Sequence, residues 1–213
     1  MTSLPSGTVT LLLSDIEGSA RLPHELGGRY ADVLAEHRRL LRGAFARHGG
    51  TEVDTQGDAF LVAFERAADA VAAAAEAQAA IADTPVRVRV GIHTGEPMLT
   101  GEGYVGADVH RVARILGAGS GGQVIISETT RALLDPETEL RDLGEHRLKD
   151  FDRPQRLHQL GRADFPPLHS TPERLLPTGT VTFLFSDIEG STRLVGDIGP
   201  AEYTRLLERH NEV

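Results

Sequence analysis

Hydrophobic positions along this chain recur with a period that changes from segment to segment, and each change marks a boundary. Val9, Leu11, Leu12 and Leu13 make Thr8–Ser14 a short apolar run, which reads as a buried strand. Gly18 and Ser19 break it, and Arg21–Leu26 follows as a short helical turn. From Tyr30 the spacing lengthens. Tyr30, Val33, Leu34, Leu41, Ala44 and Phe45 recur at helical intervals with charges between them, and Gly49–Gly50 ends the run. Thr51–Thr55 and Phe60–Phe64 read as strands joined by the turn Gln56-Gly57-Asp58, a hairpin pattern. Ala67–Ala82 is an alanine-rich helix, small enough to pack closely on a sheet. Val86, Val88, Val90 and Ile92 alternate with Arg87, Arg89, Gly91 and His93, predicting a strand with one apolar face and its arginines in solvent.

Beyond it come a Gly-bearing stretch, Thr94–Gly106, and a helix around Asp108–Leu116. A strand at Gln123–Ile126, a short helix at Glu128–Leu134 and two late strands around Glu139–Leu148 and Arg156–Leu160 complete the unit. The order β-α-β-β-α-β, with additions, predicts an α+β fold of ferredoxin-like type: an antiparallel-rich sheet with helices on one face.

The first strand and its turn occur twice. Gly7–Leu22 reads GTVTLLLSDIEGSARL and Gly179–Leu194 reads GTVTFLFSDIEGSTRL, identical at thirteen of sixteen positions. Residues 4–161 are therefore expected to form one whole unit, and 162–178, with Pro166, Pro167, Pro172 and Pro177, a stiff linker. Residues 179–213 begin a second copy, whose Tyr203, Leu206, Leu207 and His210 mirror Tyr30, Val33, Leu34 and His37. One strand and one helix cannot bury a core alone, so this copy is expected to need a longer parent chain or the first unit's surface.

Composition narrows the classes. The 213 residues are 40% hydrophobic and 25% charged, the balance of a globular protein. A net charge of −9 argues against nucleic acid or an anionic membrane as partner. Cysteine is absent, which removes disulfides and thiolate metal sites. The N-terminal apolar run is too short for a signal peptide or a membrane span, so a cytoplasmic location is the expectation.

Two carboxylates stand out. Asp15 closes one apolar strand and Asp58 sits in the hairpin turn; a sheet that places the first strand beside that hairpin brings them together. Read singly, Asp15 is a strand-end residue and Asp58 a good turn residue. Two hard oxygen ligands with open positions suit Mg²⁺ or Mn²⁺ holding a nucleoside triphosphate. Backbone N–H groups around Gly18 and Ser19 would face a phosphate. Arg114, one helical turn beyond His110, supplies a cation for charge developing on a reacting phosphate; Lys149 is a second. Arg111 points elsewhere on that helix and reads as structural.

GTVTLLLSDIEGSARL, TQGDAFLVAF, VGIHTGEP and GYVGADVHRVARI, in this order and spacing, resemble a class III nucleotidyl cyclase catalytic domain. The similarity runs from Leu4 to Leu160 and is nearest to bacterial domains that precede ATPase or transcription-regulator modules. The resemblance implies a head-to-tail homodimer, or pairing with a partner cyclase domain, acting on ATP or GTP in intracellular signalling. It makes Asp15, Asp58 and the Ile16 carbonyl ligands for two Mg²⁺ or Mn²⁺ ions per site. Arg114 matches the arginine that stabilises the transition state and Lys149 the lysine that touches the triphosphate.

Three positions depart from the family pattern. Asp54 stands where adenylyl cyclases read adenine with a lysine, Gly103 where they place the partnering aspartate, and His110 where they orient the ribose with an asparagine. A carboxylate at 54 accepts from guanine rather than donating to adenine, which tilts the base towards GTP. Glu102 or Asp108 would take over at Gly103 if the local register differs, and His110 still donates a hydrogen bond. Two functions follow: an active cyclase, or a cyclase-like regulatory module that binds nucleotide or a partner domain without efficient turnover.

Overall fold

The computed structural model describes residues 4–101 and 103–169, with positions 199, 202, 205 and 206 of the C-terminal part. The chain divides into two units, Met1–Glu173 and Arg174–Val213. In the second, Arg205 pairs with Glu202 at 3.0 Å; the repeated strand and Asp187 lie outside the described residues.

The first unit is built on a seven-stranded sheet: β1 (Val9–Ile16), β2 (Thr51–Gln56), β3 (Ala59–Phe64), β4 (Val88–Gly95), β7 (Val124–Ser127), β8 (Leu140–His146) and β9 (Gln155–Leu160). Their spatial order is β2-β3-β1-β4-β7-β9-β8. Only β4 and β7 run parallel; every other pairing is antiparallel. A separate hairpin of β5 (Met98–Thr100) and β6 (Gly103–Val105) forms within the Gly-bearing stretch, where the sequence pattern predicts no element. The helices are α1 (Leu22–Leu26), α2 (Tyr30–Arg47), α3 (Ala67–Ile81), α4 (Ala107–Ala118) and the single turn α5 (Glu128–Arg131).

Helices cover both faces of the sheet, not one. Leu12, Ile16, Phe60, Val62, Val90 and Ile92 point to the side of α2 and α3 and share a core with Leu41, Phe45 and the α3 alanines. Leu11, Ala63 and Val9 point the other way and pack with Val112 of α4 and Tyr104. The expectation of a single helical layer failed because β1 is apolar at consecutive positions, the signature of a strand buried on both sides. The same two-sided burial overturns the solvated face expected of β4. There Gly91 lies under α4 so closely that a Cβ would stand 2.6 Å from the Leu116 backbone nitrogen, and His93 is fully buried.

Hydroxyl and imidazole groups tie this second layer together. Thr94 bonds Thr10 at 2.9 Å and Thr130 at 3.0 Å, and Ser127 bonds Thr130 at 3.0 Å and His93 Nδ1 at 2.9 Å. His93 Nε2 meets Asp108 Oδ1 at 3.0 Å, while Asp108 Oδ2 accepts from the Glu96 amide at 3.0 Å. Burial pushes the His93 pKa down against the pull of Asp108. Each hydroxyl and imidazole of this group thus finds a partner, and α4 is fixed by its first turn to the end of β4.

Residues 162–169 run along the unit: His169 N donates to Ala118 O at 2.8 Å, Gln159 Nε2 donates to Ala163 O at 2.7 Å, and Leu168 packs with the cluster of Ile115, Ile125 and Leu157.

Candidate active site

β1 runs two residues further than the pattern indicated, so Asp15 and Ile16 are its last residues, aligned with Arg89 and Val88 of β4. The β2–β3 turn brings Asp58 to the same end. Its Oδ2 accepts from the Ile16 backbone N–H at 2.7 Å, docking the second carboxylate on the strand that carries the first. Gly57 supplies the left-handed backbone this turn requires, with φ of 62°.

α2 holds the turn from outside. Arg38 Nε donates to Gly57 O at 3.0 Å, its Nη2 reaches the same oxygen, and the His37 imidazole Nε2 lies 3.2 Å from Asp58 O. His37 is 1% exposed, and burial pushes its pKa down.

Arg89 is the residue that sequence reading placed wrongly. Its Nε and Nη2 donate to Asp15 Oδ1 and Oδ2 at 2.6 and 2.9 Å, a bidentate pair with 27% and 23% of the two side chains exposed. The hydrogen bond to Asp15 holds the guanidinium pKa above its ordinary value, with smaller help from Glu17 and Asp58. The signal was present: antiparallel pairing of the two strands sets Arg89 opposite Asp15.

Among the described residues no group of three or more His, Cys, Asp or Glu side chains converges on a cation position. Asp15, Asp58 and a main-chain oxygen would supply hard ligands of the kind that suits Mg²⁺ or Mn²⁺. Arg89 supports the fit, since a guanidinium bound across both oxygens of Asp15 marks a place that demands positive charge.

Gly18 is left-handed, with φ of 67°, and Ser19 opens a tight helical turn that leads into α1. Arg114 and Lys149 come together, lining one cavity of about 170 Å³ with Ala113, Gly117, Leu148 and His169. Neither Asp15 nor Asp58 lines it. Arg114 donates to Asp150 Oδ2 from Nε at 3.1 Å and Nη2 at 2.5 Å. His110 is exposed one turn earlier on α4. Arg111 stacks on Phe151, 4.8 Å from the ring centroid, and bonds Asp108 at 3.2 Å.

The three departures lie near one another in part. A Cβ on Gly103 would stand 3.3 Å from Val53, so the β5–β6 hairpin abuts the strand carrying Asp54. Asp54 is committed locally: Oδ1 accepts from the Thr55 amide and Oδ2 from Gln56 Nε2, both at 2.8 Å. Asp108 is likewise engaged, by His93, the Glu96 amide and Arg111. Glu102 lies outside the described residues. Among the described residues no helix is long and apolar enough to cross a membrane.

Comparison with known proteins identifies relatives of this chain. An uncharacterised protein of Mycobacterium tuberculosis is 39% identical over 193 residues, covering 84% of this chain and 67% of that protein. A receptor-type adenylate cyclase of Trypanosoma congolense is 28% identical over 204 residues, covering 71% of this chain and 27% of that protein. An adenylate cyclase structure from Trypanosoma brucei superposes with a TM-score of 0.72 at 26% identity, covering 79% of this chain and 97% of that one. The family described as adenylate and guanylate cyclase catalytic domain matches residues 1–161. The chain belongs to the class III adenylate and guanylate cyclase catalytic-domain family.

Proposed function

We propose that the first unit is a purine nucleoside triphosphate cyclase acting in signal transduction, forming a 3′,5′-cyclic nucleotide and pyrophosphate at a site shared by two protomers. One observation carries the reading: the 2.7 Å hydrogen bond that docks Asp58 on the end of the strand bearing Asp15, with Arg89 supplying the counter-charge there. Asp15, Asp58 and the Ile16 carbonyl would hold two Mg²⁺ or Mn²⁺ ions, which lower the pKa of the attacking ribose hydroxyl and neutralise the triphosphate. The 3′ oxygen attacks the α-phosphorus in line as the bond to the bridging oxygen breaks. Arg89, released from Asp15 when the carboxylate is neutralised, stands beside the triphosphate. Amides at Gly18 and Ser19 seat its oxygens. Arg114 offsets the charge that grows on the reacting phosphate, Lys149 holds the leaving pyrophosphate, and His110 orients the ribose. The Arg114–Lys149 cavity contains neither aspartate, which supports completion of each site by a second protomer in head-to-tail fashion.

A second reading, a regulatory module that binds nucleotide or a partner domain with little turnover, is favoured by Asp54. Both of its oxygens are engaged by its own strand and must be released to read guanine. Incubation with ATP or GTP and Mn²⁺, with mass spectrometry of the products and Asp58→Ala as control, separates the two. A 3′,5′-cyclic product that Asp58→Ala abolishes is the expected result. Nucleotide binding with no product from either substrate would leave the regulatory reading standing. Strong preference for ATP would refute the role assigned to Asp54.

A further inference from the structure

We infer that His37 is a positioning residue for the second metal-binding aspartate, setting the Asp58 carboxylate through that residue's own carbonyl. The inference rests on the metal-site reading above and adds to it a support from the far side of the turn.

A carbonyl oxygen only accepts, so the 3.2 Å contact requires a hydrogen on His37 Nε2 and, for the neutral ring, selects the Nε2–H tautomer. Nδ1 is then a bare acceptor, buried and without a hydrogen-bond partner among the described residues. The surroundings are apolar: the Phe60 ring lies 6.1 Å from the imidazole, with Phe45 beyond it, and Leu41 is fully buried one turn along α2. Packing alone would be served as well by leucine, which strands no polar atom. What leucine lacks is the donor facing Asp58.

Arg38 supplies the matching grip. Consecutive residues of a helix diverge by about 100°, so His37 reaches the turn from the buried side and Arg38 from the outer side. They take successive carbonyls, Asp58 and Gly57. With the carboxylate bound to the Ile16 amide, the turn is held at three points, and a shift at either carbonyl swings the carboxylate off β1.

The internal repeat points the same way. Tyr30–Leu40 and Tyr203–Val213 agree at three of eleven positions: the tyrosine, one leucine and the histidine, as His37 and His210. The other charged positions of this segment differ, Arg38 included, so the shared histidine is not part of a generally retained surface.

The test measures binding of Mn²⁺ alone to the full chain, by loss of the free-ion electron paramagnetic resonance signal, in wild type, His37→Leu, His37→Gln and Arg38→Met. Groups that orient metal ligands typically change affinity by about 10- to 100-fold. His37→Leu is expected to weaken Mn²⁺ by about tenfold while keeping its melting temperature in EDTA. His37→Gln, whose amide nitrogen reaches about as far as Nε2, should restore affinity to within about threefold. A merely structural histidine would give the opposite pattern, with a lower melting temperature and unchanged Mn²⁺ affinity, and that result overturns the inference. If His37→Leu does not fold, the half-buried Arg38 decides. Weaker Mn²⁺ binding in Arg38→Met, together with faster amide exchange at 57–60 in EDTA, sustains the grip; no change in either overturns it. Wild type that binds Mn²⁺ through Asp58 yet forms no cyclic product would remove the cyclase reading and leave this one in place. Wild type that binds no Mn²⁺ would overturn both.

Discussion

Gly91→Ala tests the placement of α4, on which the cationic half of the site depends. A Cβ at 91 would stand 2.6 Å from Leu116 N, 2.9 Å from Val112 O and 3.0 Å from Leu116 Cα, all backbone atoms of one helix. A side chain could rotate away; a hydrogen-bonded helix cannot, so α4 must retreat by about 1 Å to reach ordinary contact. Overpacking of this kind costs about 1–3 kcal/mol, and the rigid neighbour puts this case near the top of the range. For a domain of this size each kcal/mol moves the melting temperature by about 2–4 °C, which gives a fall of roughly 5–10 °C. Misplacement by about 1 Å is enough to lower turnover up to 10²-fold, and Arg114 and His110 both ride on this helix. Gly117→Ala is the control on the same element, because nothing lies within 4 Å of its added Cβ. It should stabilise the helix by about 0.5–1 kcal/mol through propensity alone. Circular dichroism melts and cyclic-nucleotide assays on both variants read the outcome. A Gly91→Ala protein melting within about 2 °C of wild type, with unchanged kcat, would refute the close seating of α4 on β4.

Three further predictions address the site. Arg89→Met leaves the half-buried Asp15 without its bidentate partner; in EDTA it should lose about 1–2 kcal/mol, and added Mn²⁺ should raise its melting temperature more than that of wild type. Equal Mn²⁺ shifts in the two proteins would argue against a shared place for guanidinium and cation. Burial holds His93 below its ordinary pKa, so the unfolded chain takes up the proton first as pH falls. Its contribution is therefore full above pH ~6.5 and declines below it, by at most about 1.4 kcal/mol per pH unit. Urea denaturation from pH 7.5 to 5.5 should reveal that slope, and His93→Gln should reduce it; an unaltered slope would exclude His93 as its source. Finally, Asp58→Ala and Arg114→Ala proteins, each inactive alone, should recover roughly a quarter of wild-type activity when mixed, since half the dimers then carry one intact shared site. No recovery despite subunit exchange would place both halves of the site within a single protomer.

Much of the fold was legible because its elements are punctuated locally. The switch from the run at Val9–Leu13 to the helical period at Tyr30, and the hairpin turn at Gln56-Gly57-Asp58, give strand, helix and hairpin in the order observed. Asp15 and Asp58 were legible as a pair because a hairpin laid beside β1, as β3 is, brings a turn aspartate to a strand-end aspartate. What escaped is what depends on contacts distant in sequence. Arg89 looks like any solvent-facing arginine until β4 is paired with β1 in register. His37 looks like one more residue between the charges of an amphipathic helix until the turn at Asp58 is folded beneath it. The β5–β6 hairpin has three-residue strands, too short for alternation to register.

The two helical layers divide the labour of the site. α2, from one face, fixes the turn that presents Asp58, and does so through backbone carbonyls whose position no side-chain pattern records. α4, from the other face, is set by Gly91 beneath its middle and by the His93–Asp108 contact at its first turn, and it carries Arg114 towards Lys149. The proposed metal-binding half and the proposed cationic half are thus supported by different sets of residues. On the proposed reading, this separation lets the positions assigned to base reading, Asp54 and Gly103, depart from the family pattern while Asp15 and Asp58 keep their places. Asp54 and Gly103 belong to β2 and the small β5–β6 hairpin, and neither takes part in the carbonyl contacts that hold the turn at Asp58 or in the Gly91 and His93–Asp108 contacts that seat α4.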